Sequence, residues 1–345
     1  MAAAGRRSAL LTESWIGRQV SCLNRSSKQT LCLGLDTSAY ITSLALVDQA
    51  ENLIYERRIA LPVKEGELGL RQSEAVFAQI RNMPLLWSEC RAEFQPDSIK
   101  AISVSDRPRP RDQSYMPVFK VGEAFGRFLA QTMGLDYFNS SHQEGHIMTG
   151  LWSAALDGGL YLVLQISGGT TEIVTAEEQI PGRLSIELVG GTADLNAGQF
   201  VDRIGRKLKL PFPAGPHLEK LALRADLDQP NLPLAVKGAM ISFSGPASEA
   251  ERLLERNCRP ENLARAVEIC IADSLNAAVA SAWQEEKNYA GLLVVGGVSA
   301  NLFIRNSISN YFNGKNVYFA EPHYGGDNAV GQAITAGRRL QQKMR

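Results

Sequence analysis

Apolar positions fall first into three short runs, Leu31–Leu35, Ser43–Val47 and Leu53–Ala60, separated by small polar turns. Runs of this length with turn punctuation predict a β-meander. From Gln72 to Ala92 the period lengthens, with Val76, Ile80, Met83, Leu86 and Trp87 at helical spacing. A strand follows at Ile99–Ser105. "RPRPR" (Arg107–Arg111) breaks regular structure, and Val118–Gly134 predicts a second helix. The pattern then returns. "YLVLQISGGTTEIVTAEEQ", from Tyr161, is again strand, small polar turn, strand. "GRLSIELVGG" (182–191) supplies a third strand, and "AGQFVDRIGRKLKL" a helix closed by the loop "PFPAGP" (211–216). Ala264–Glu286 reads as a long amphipathic helix, and "GLLVVGGVSANLFIRNSISNYF" as buried strand, double-glycine turn and helix. "NVYFAEP" reads as a last strand and Asp327–Leu340 as a last helix.

A strand–turn–strand–strand–helix unit thus occurs twice, near residues 31–92 and 161–210. Two similar α/β halves, each opening with a hairpin, predict an actin-like ATPase (ASKHA) fold, two lobes with a nucleotide and metal cleft between them. A division near "AALDGG" (154–159) gives a first lobe of 31–155 and a second of 156–345, the last helix being free to pack back on the first.

Composition narrows the classes of function. Lys+Arg and Asp+Glu both number 36, and this zero net charge argues against a strongly electrostatic nucleic-acid or membrane binder. A local basic patch stays open. Five scattered cysteines without a CxxC point to a reducing compartment. No apolar run approaches about 18 residues, so no membrane span is expected. Residues 1–30 carry Arg6, Arg7, Arg18, Arg25 and Lys28 against Glu13 alone, and read as a disordered or leader-like extension. The expected location is cytoplasmic, or an organelle if that extension is a transit peptide.

Candidate chemistry begins with "HQEGH". His142 and His146, four apart, share one helix face and can chelate one ion. A peptidase needs His-Glu-x-x-His; here Gln143 follows the first histidine and Glu144 turns to another face. Asp327, at a Gly-Gly-Asp helix start, is a candidate third ligand, and two histidines with a carboxylate suit iron or zinc. "QISGGTTEIV" places Ser167, Gly168, Gly169 and Thr170 in a tight turn whose backbone N–H groups can approach phosphate. Any Gly-Gly hairpin looks similar. Asp36, Thr37 and Ser38, in the matching first hairpin, can reach a phosphate or its metal, or bond their own turn. Asn301 in "VVGGVSAN" can bond a base or ribose, or start a helix. Asp202 can hold a ribose, or pair with Arg206 one turn away. Arg107, Arg109 and Arg111 are candidate anion contacts, held extended by Pro108 and Pro110 so that alternate side chains point one way, or else a solvated loop.

Taken together and in order, "HQEGH", "ISGGTTEIV", "NAGQFVDRIGRKLKLPFPAGP", "SFSG" (242–245), "VVGGVSAN" and "GGDNAVGQAI" resemble the tRNA threonylcarbamoyladenosine transferases of the TsaD type, formerly labelled O-sialoglycoprotein endopeptidases. The likeness runs from Leu31 to about Arg339. It implies the actin-like fold and transfer of threonylcarbamoyl from threonylcarbamoyl-AMP to N6 of the adenosine next to the tRNA anticodon. It assigns His142, His146 and Asp327 to one divalent metal, Fe2+ or Zn2+. It assigns Ile166, Ser167, Gly168 and Gly169 to the phosphate side of the nucleotide, and Asp202, Gly215 and Asn301 to its ribose and base. Asp36, Thr37 and Ser38 occupy the hairpin linked with catalysis, and tRNA and proteins of the same pathway are the implied partners. The chain departs from the pattern at Tyr40 and Ile41, where the family carries acids, at Thr170 and Leu195, and in the loop "DRPRPRDQSY" (106–115), where glycines are usual. Those departures leave two further readings: a divergent paralogue that transfers a carbamoyl-type group to another acceptor or hydrolyses nucleotide, and a non-catalytic nucleotide-binding partner protein.

Overall fold

The structure, a computed structural model, describes residues 29–63, 70–284 and 287–345. The leader-like reading of residues 1–30 therefore lies almost wholly outside the described residues. The chain opens with β1 (Leu31–Thr37), β2 (Ile41–Asp48) and β3 (Leu53–Ala60), then α1 (Gln72–Glu93), β4 (Ile99–Arg107), α2 (Pro117–Met133), β5 (Asp136–Ser141) and α3 (His142–Ser153). The second meander is β6 (Leu160–Ile166), β7 (Thr171–Ile180) and β8 (Arg183–Thr192), followed by α4 (Ala197–Lys207) and α5 (Gly215–Ala222). Then come β9 (Val236–Lys237), β10 (Met240–Ile241), α6 (Ser244–Glu255), α7 (Pro260–Ala282), β11 (Gly291–Val295), α8 (Leu302–Tyr311), β12 (Val317–Phe319) and α9 (Val330–Met344).

Two mixed sheets result. The first has the order β3-β2-β1-β4-β5; the second runs β12-β11-β6-β7-β8-β10-β9. In each, an antiparallel meander continues through its first strand into two parallel strands, β4 and β5 or β11 and β12. The two halves thus share one topology, as the repeated pattern predicts.

Helices α3 and α9 fill the space between the sheets. Ile147, Met148 and Leu151 from α3 and Ala333, Ile334 and Ala336 from α9 pack with Cys32, Ala45 and Val47 of the first sheet and Val163, Val174 and Leu293 of the second. All seven residues of β1 are buried. At Gly34 the approach is so close that a Cβ would stand 2.3 Å from Ala329 O and 2.4 Å from Ala333 N. The other face of the first sheet is covered by α1 and α2 around Leu33, Leu35, Met83 and Leu86. The second lobe has its own core around Phe200, Phe243, Leu275 and Val294.

Several elements differ from the pattern-based reading. β5, with the sequence "DYFNSS", is too polar to stand out, and it is held by pairing with β4. The short helices α5 and α6 lie in segments without an extended apolar period. The last helix begins at Val330 instead of Asp327. No helix among the described residues is long and apolar enough to cross a membrane.

Candidate functional site

Helix α3 begins with a capping box. The Ser141 hydroxyl accepts the Glu144 N–H at 3.1 Å, and Glu144 Oε2 accepts the Ser141 N–H at 2.6 Å. Glu144 is thereby a helix-start residue, which gives a physical reason for its position out of register with a peptidase base. With the helix starting at His142, His142 and His146 stack on one face, one turn apart.

Asp327 arrives from the loop before α9, and Asn328 shapes that loop. Its Oδ1 accepts the Val330 N–H at 3.0 Å and the Thr149 hydroxyl at 3.2 Å, and its amide donates to Tyr324 O and Gly326 O. Helices α3 and α9 touch backbone to backbone; a Cβ on Gly331 would lie 2.0 Å from Gly145 O. Buried Gln332 fixes α9 against the first sheet. Its Oε1 accepts from Ser103 at 2.8 Å and Ser140 at 3.0 Å, and its amide donates to Ser105 Oγ at 2.9 Å and Ser141 O at 3.3 Å. A buried amide satisfied on every side locks a packing arrangement.

This scaffold brings three donor atoms together. His142 Nε2 lies 3.2 Å from His146 Nε2 and 3.5 Å from Asp327 Oδ1, and His146 Nε2 lies 3.2 Å from that same oxygen. Ligands about 2.0–2.2 Å from one ion at tetrahedral angles stand about 3.4 Å apart, so the spacing fits a single metal. The site is a candidate His/His/Asp metal centre. The far nitrogen of His142, Nδ1, lies 2.8 Å from Asp36 Oδ1 at the end of β1. A carboxylate there fixes the ring with Nε2 free to face an ion. Asp36 is 1% exposed, and its Oδ2 has no hydrogen-bond partner among the described residues.

The electrostatics follow from that crowding. Burial works against a charge on His142, but the Asp36 and Asp327 carboxylates outweigh it and hold its pKa well above the usual imidazole range. Burial likewise works against the Asp327 carboxylate, and the two histidines reverse it, holding its pKa well below the usual value.

The β6–β7 turn, the start of α4 and the turn after β11 meet at the carboxyl end of β6. Ser167–Thr170 form the β6–β7 turn, closed by the Ser167 N–H donating to Thr170 O at 2.7 Å. Gly198, at the start of α4, packs so close that a Cβ would stand 2.7 Å from the Gly168 Cα. Gly296, at φ +98°, brings the β11 turn to within 2.3 Å of Ile166 O by the same measure. Gly168, Gly169, Gly215 and Gly297 have nothing within 4 Å of where a Cβ would stand, so each has open space on that side. Asp202 Oδ1 accepts the Ala214 N–H at 2.8 Å instead of pairing with Arg206, and burial raises the Asp202 pKa. Asn301 makes its helix-start bond, accepting the Ile304 N–H at 2.9 Å, and donates to Glu268 at 2.7 Å. Burial pushes Glu268 up from 4.5 to about 7, against the opposing pull of Asn301 and Arg265.

Other candidates are engaged within the fold. Thr37 Oγ1 donates to Val118 O at 2.9 Å and accepts the Gly122 N–H at 3.1 Å, tying α2 to β1. Ser38 bonds Ile41 across its own turn. The arginine loop is not extended as the prolines suggest; the Arg111 N–H donates to Arg109 O and the Ser114 N–H to Arg111 O, folding it into turns. Arg107 pairs with Asp106 at 2.6 Å, and Arg109 with Glu172 of β7 at 2.7 Å. Gln143 joins that second pair, donating to Glu172 at 2.7 Å and Gln165 at 3.0 Å. Arg111 alone of the three has no ion pair among the described residues. Sequence reasoning missed this bridge between the lobes, and it missed Gln332. A glutamine directly after the first histidine was the available signal.

A two-lobed actin-like chain with a His/His/Asp cluster where the lobes meet is the class that fold and site define. Solved structures agree on the fold. HypF from T. kodakarensis superposes with a TM-score of 0.56 at 13% identity, covering 91% of this chain and 48% of that one. The (R)-2-hydroxyglutaryl-CoA dehydratase component A of Acidaminococcus fermentans gives 0.54 at 13%, covering 91% and 100%. At such identities these show the fold alone. The model of the TsaD family, tRNA N6-adenosine threonylcarbamoyltransferase, matches residues 90–334, and the chain belongs to that family. It is 31% identical over 306 residues to a probable bifunctional tRNA threonylcarbamoyladenosine biosynthesis protein of Methanothermobacter thermautotrophicus, covering 87% of this chain but 54% of that protein. It thus spans about half the length of that relative. It is 27% identical to the tRNA N6-adenosine threonylcarbamoyltransferase of Thermosipho africanus, covering 91% and 95%.

Proposed function

We propose that this chain is a metal-dependent transferase that moves a threonylcarbamoyl group from threonylcarbamoyl-AMP to N6 of the adenosine beside the tRNA anticodon. The observation that carries the reading is the convergence of His142, His146 and Asp327 where the two lobes meet, in a chain of the TsaD family. His142, His146 and Asp327 would hold one Fe2+ or Zn2+, which supplies Lewis-acid polarisation of carbamoyl or phosphate oxygens. Asp36 orients His142 for that role. The turn Ile166–Thr170 faces the phosphates with its backbone, and Asp202, Gly215 and Asn301 hold ribose and base. In the transfer, the N6 amine bonds the carbamoyl carbon, the anhydride C–O bond to AMP breaks, and one N6 proton leaves. The amine is a weak nucleophile, so orientation within the cleft and removal of that proton carry much of the barrier.

A second reading rests on the hairpin tip, where Tyr40 and Ile41 supply no carboxylate: transfer of a carbamoyl-type group to another acceptor. Complementation of a strain lacking its own threonylcarbamoyl transferase, with the modified nucleoside measured by mass spectrometry, separates the two. Restored nucleoside supports the tRNA reading. No nucleoside from a stably expressed, nucleotide-binding chain overturns it and leaves the second reading or a non-catalytic nucleotide-binding role, which nucleotide turnover then divides.

A further inference from the structure

Tyr40 sits at the tip of the β1–β2 hairpin, and the hairpin is rigidly held. Buried Gln79 of α1 donates to Ser38 O at 2.6 Å and Ile41 O at 2.9 Å, Asn82 donates to Thr42 at 2.9 Å, and the Leu61 N–H donates to Tyr40 O at 2.7 Å. With its backbone fixed, the half-buried Tyr40 ring crosses to the second lobe. There it meets Phe212, in the loop between α4 and α5, with centroids 6.0 Å apart and the planes tilted by 47°. Phe212 is 37% exposed, and its loop leads directly into Ala214 and Gly215 beside Asp202. Burial raises the phenol's pKa, and the negative charges of Asp202 and Asp327 add to it. Its hydroxyl has no hydrogen-bond partner among the described residues.

We propose that Tyr40 and Phe212 form a ligand-contacting aromatic pair, one ring from each lobe, that covers a nucleoside phosphate in the cleft while the Tyr40 hydroxyl donates to one of its oxygens. The inference rests on the cleft reading above and adds to it the residues that set ligand class. A phenol hydroxyl can donate to a phosphate oxygen, which an ionised carboxylate at the same point cannot do. A ring contact between lobes must open for the ligand to exchange, so it acts on the dissociation rate.

The test uses the full metal-loaded chain and ADP as probe, with affinity by calorimetry and dissociation by stopped flow. Tyr40→Phe keeps the ring, leaves thermal stability unchanged and weakens ADP about 3–10-fold through loss of one hydrogen bond. Tyr40→Ala and Phe212→Ala each speed ADP release, and the double variant releases it no faster than the faster single one, because either truncation opens the same contact. Wild-type affinity and release in all four variants overturn this inference and leave the cleft reading intact. Failure of the wild-type chain to bind ADP overturns both.

Discussion

Gly331 is where the fold most directly controls the candidate metal centre. Gly331→Ala adds one methyl group at the crossing of α3 and α9. That Cβ would stand 2.0 Å from Gly145 O and 2.7 Å from Thr149 Oγ1, where real contacts essentially never fall below 3.0 Å. The obstacle is helix backbone, which cannot rotate away, so the helices must part by about 1 Å. Overpacking of this kind costs about 1–3 kcal/mol. It also moves Asp327, four residues before Gly331, away from His142 and His146, whose donor atoms now stand 3.2–3.5 Å from its carboxylate oxygen. An ion cannot keep three bonds of about 2.0–2.2 Å across a site widened by that amount, so metal affinity falls by at least tenfold. Urea unfolding reads the first effect, and competition against a chelator of known affinity reads the second. An alanine variant as stable as wild type with the same metal affinity would refute the role assigned to this crossing.

Other predictions address the surroundings of the site. Glu268 has its pKa raised from 4.5 to about 7, so between those pH values the folded state holds more protons than the unfolded one and stability falls as pH rises. Glu268→Gln removes that slope and is more stable than wild type above pH 7, by at most about 3 kcal/mol; thermal melts across pH 4 to 8 check it. Arg338 binds both Glu51 oxygens, at 2.7 and 2.8 Å, and also Glu178, tying α9 to both sheets. Arg338→Ala leaves those acids uncompensated and costs about 3 kcal/mol in urea unfolding. Arg111→Ala reduces the slope of log affinity for tRNA against log salt by about 1, whereas Arg109→Ala, already neutralised by Glu172, changes it less; a salt-titrated binding assay distinguishes them.

The sheets were legible because alternation and short apolar runs survive in both hairpins, and because the second meander repeats the first. β5 was not, since its strand character comes from pairing with β4 and not from its own "DYFNSS". The His142–His146 chelate was readable from spacing on a helix. Its third member, Asp327, was one candidate at a Gly-Gly-Asp helix start until the resemblance singled it out, since it is brought in by glycine contacts and by Gln332 hydrogen bonds that no local pattern encodes. The arginine loop shows the limit from the other side. Proline spacing suggests an extended segment, but tertiary pairing of Arg109 with Glu172 across the lobes accompanies a turn. The Asp36–His142 contact likewise depends on where β1 ends relative to α3, which is a property of the assembled core.

The proposed transferase requires one ion shared by His142, His146 and Asp327. Elemental analysis by mass spectrometry of the purified chain and of a His142→Ala/His146→Ala variant tests that directly. One transition-metal ion per wild-type chain and none in the folded variant is the predicted result. Equal metal content in the two proteins would contradict it.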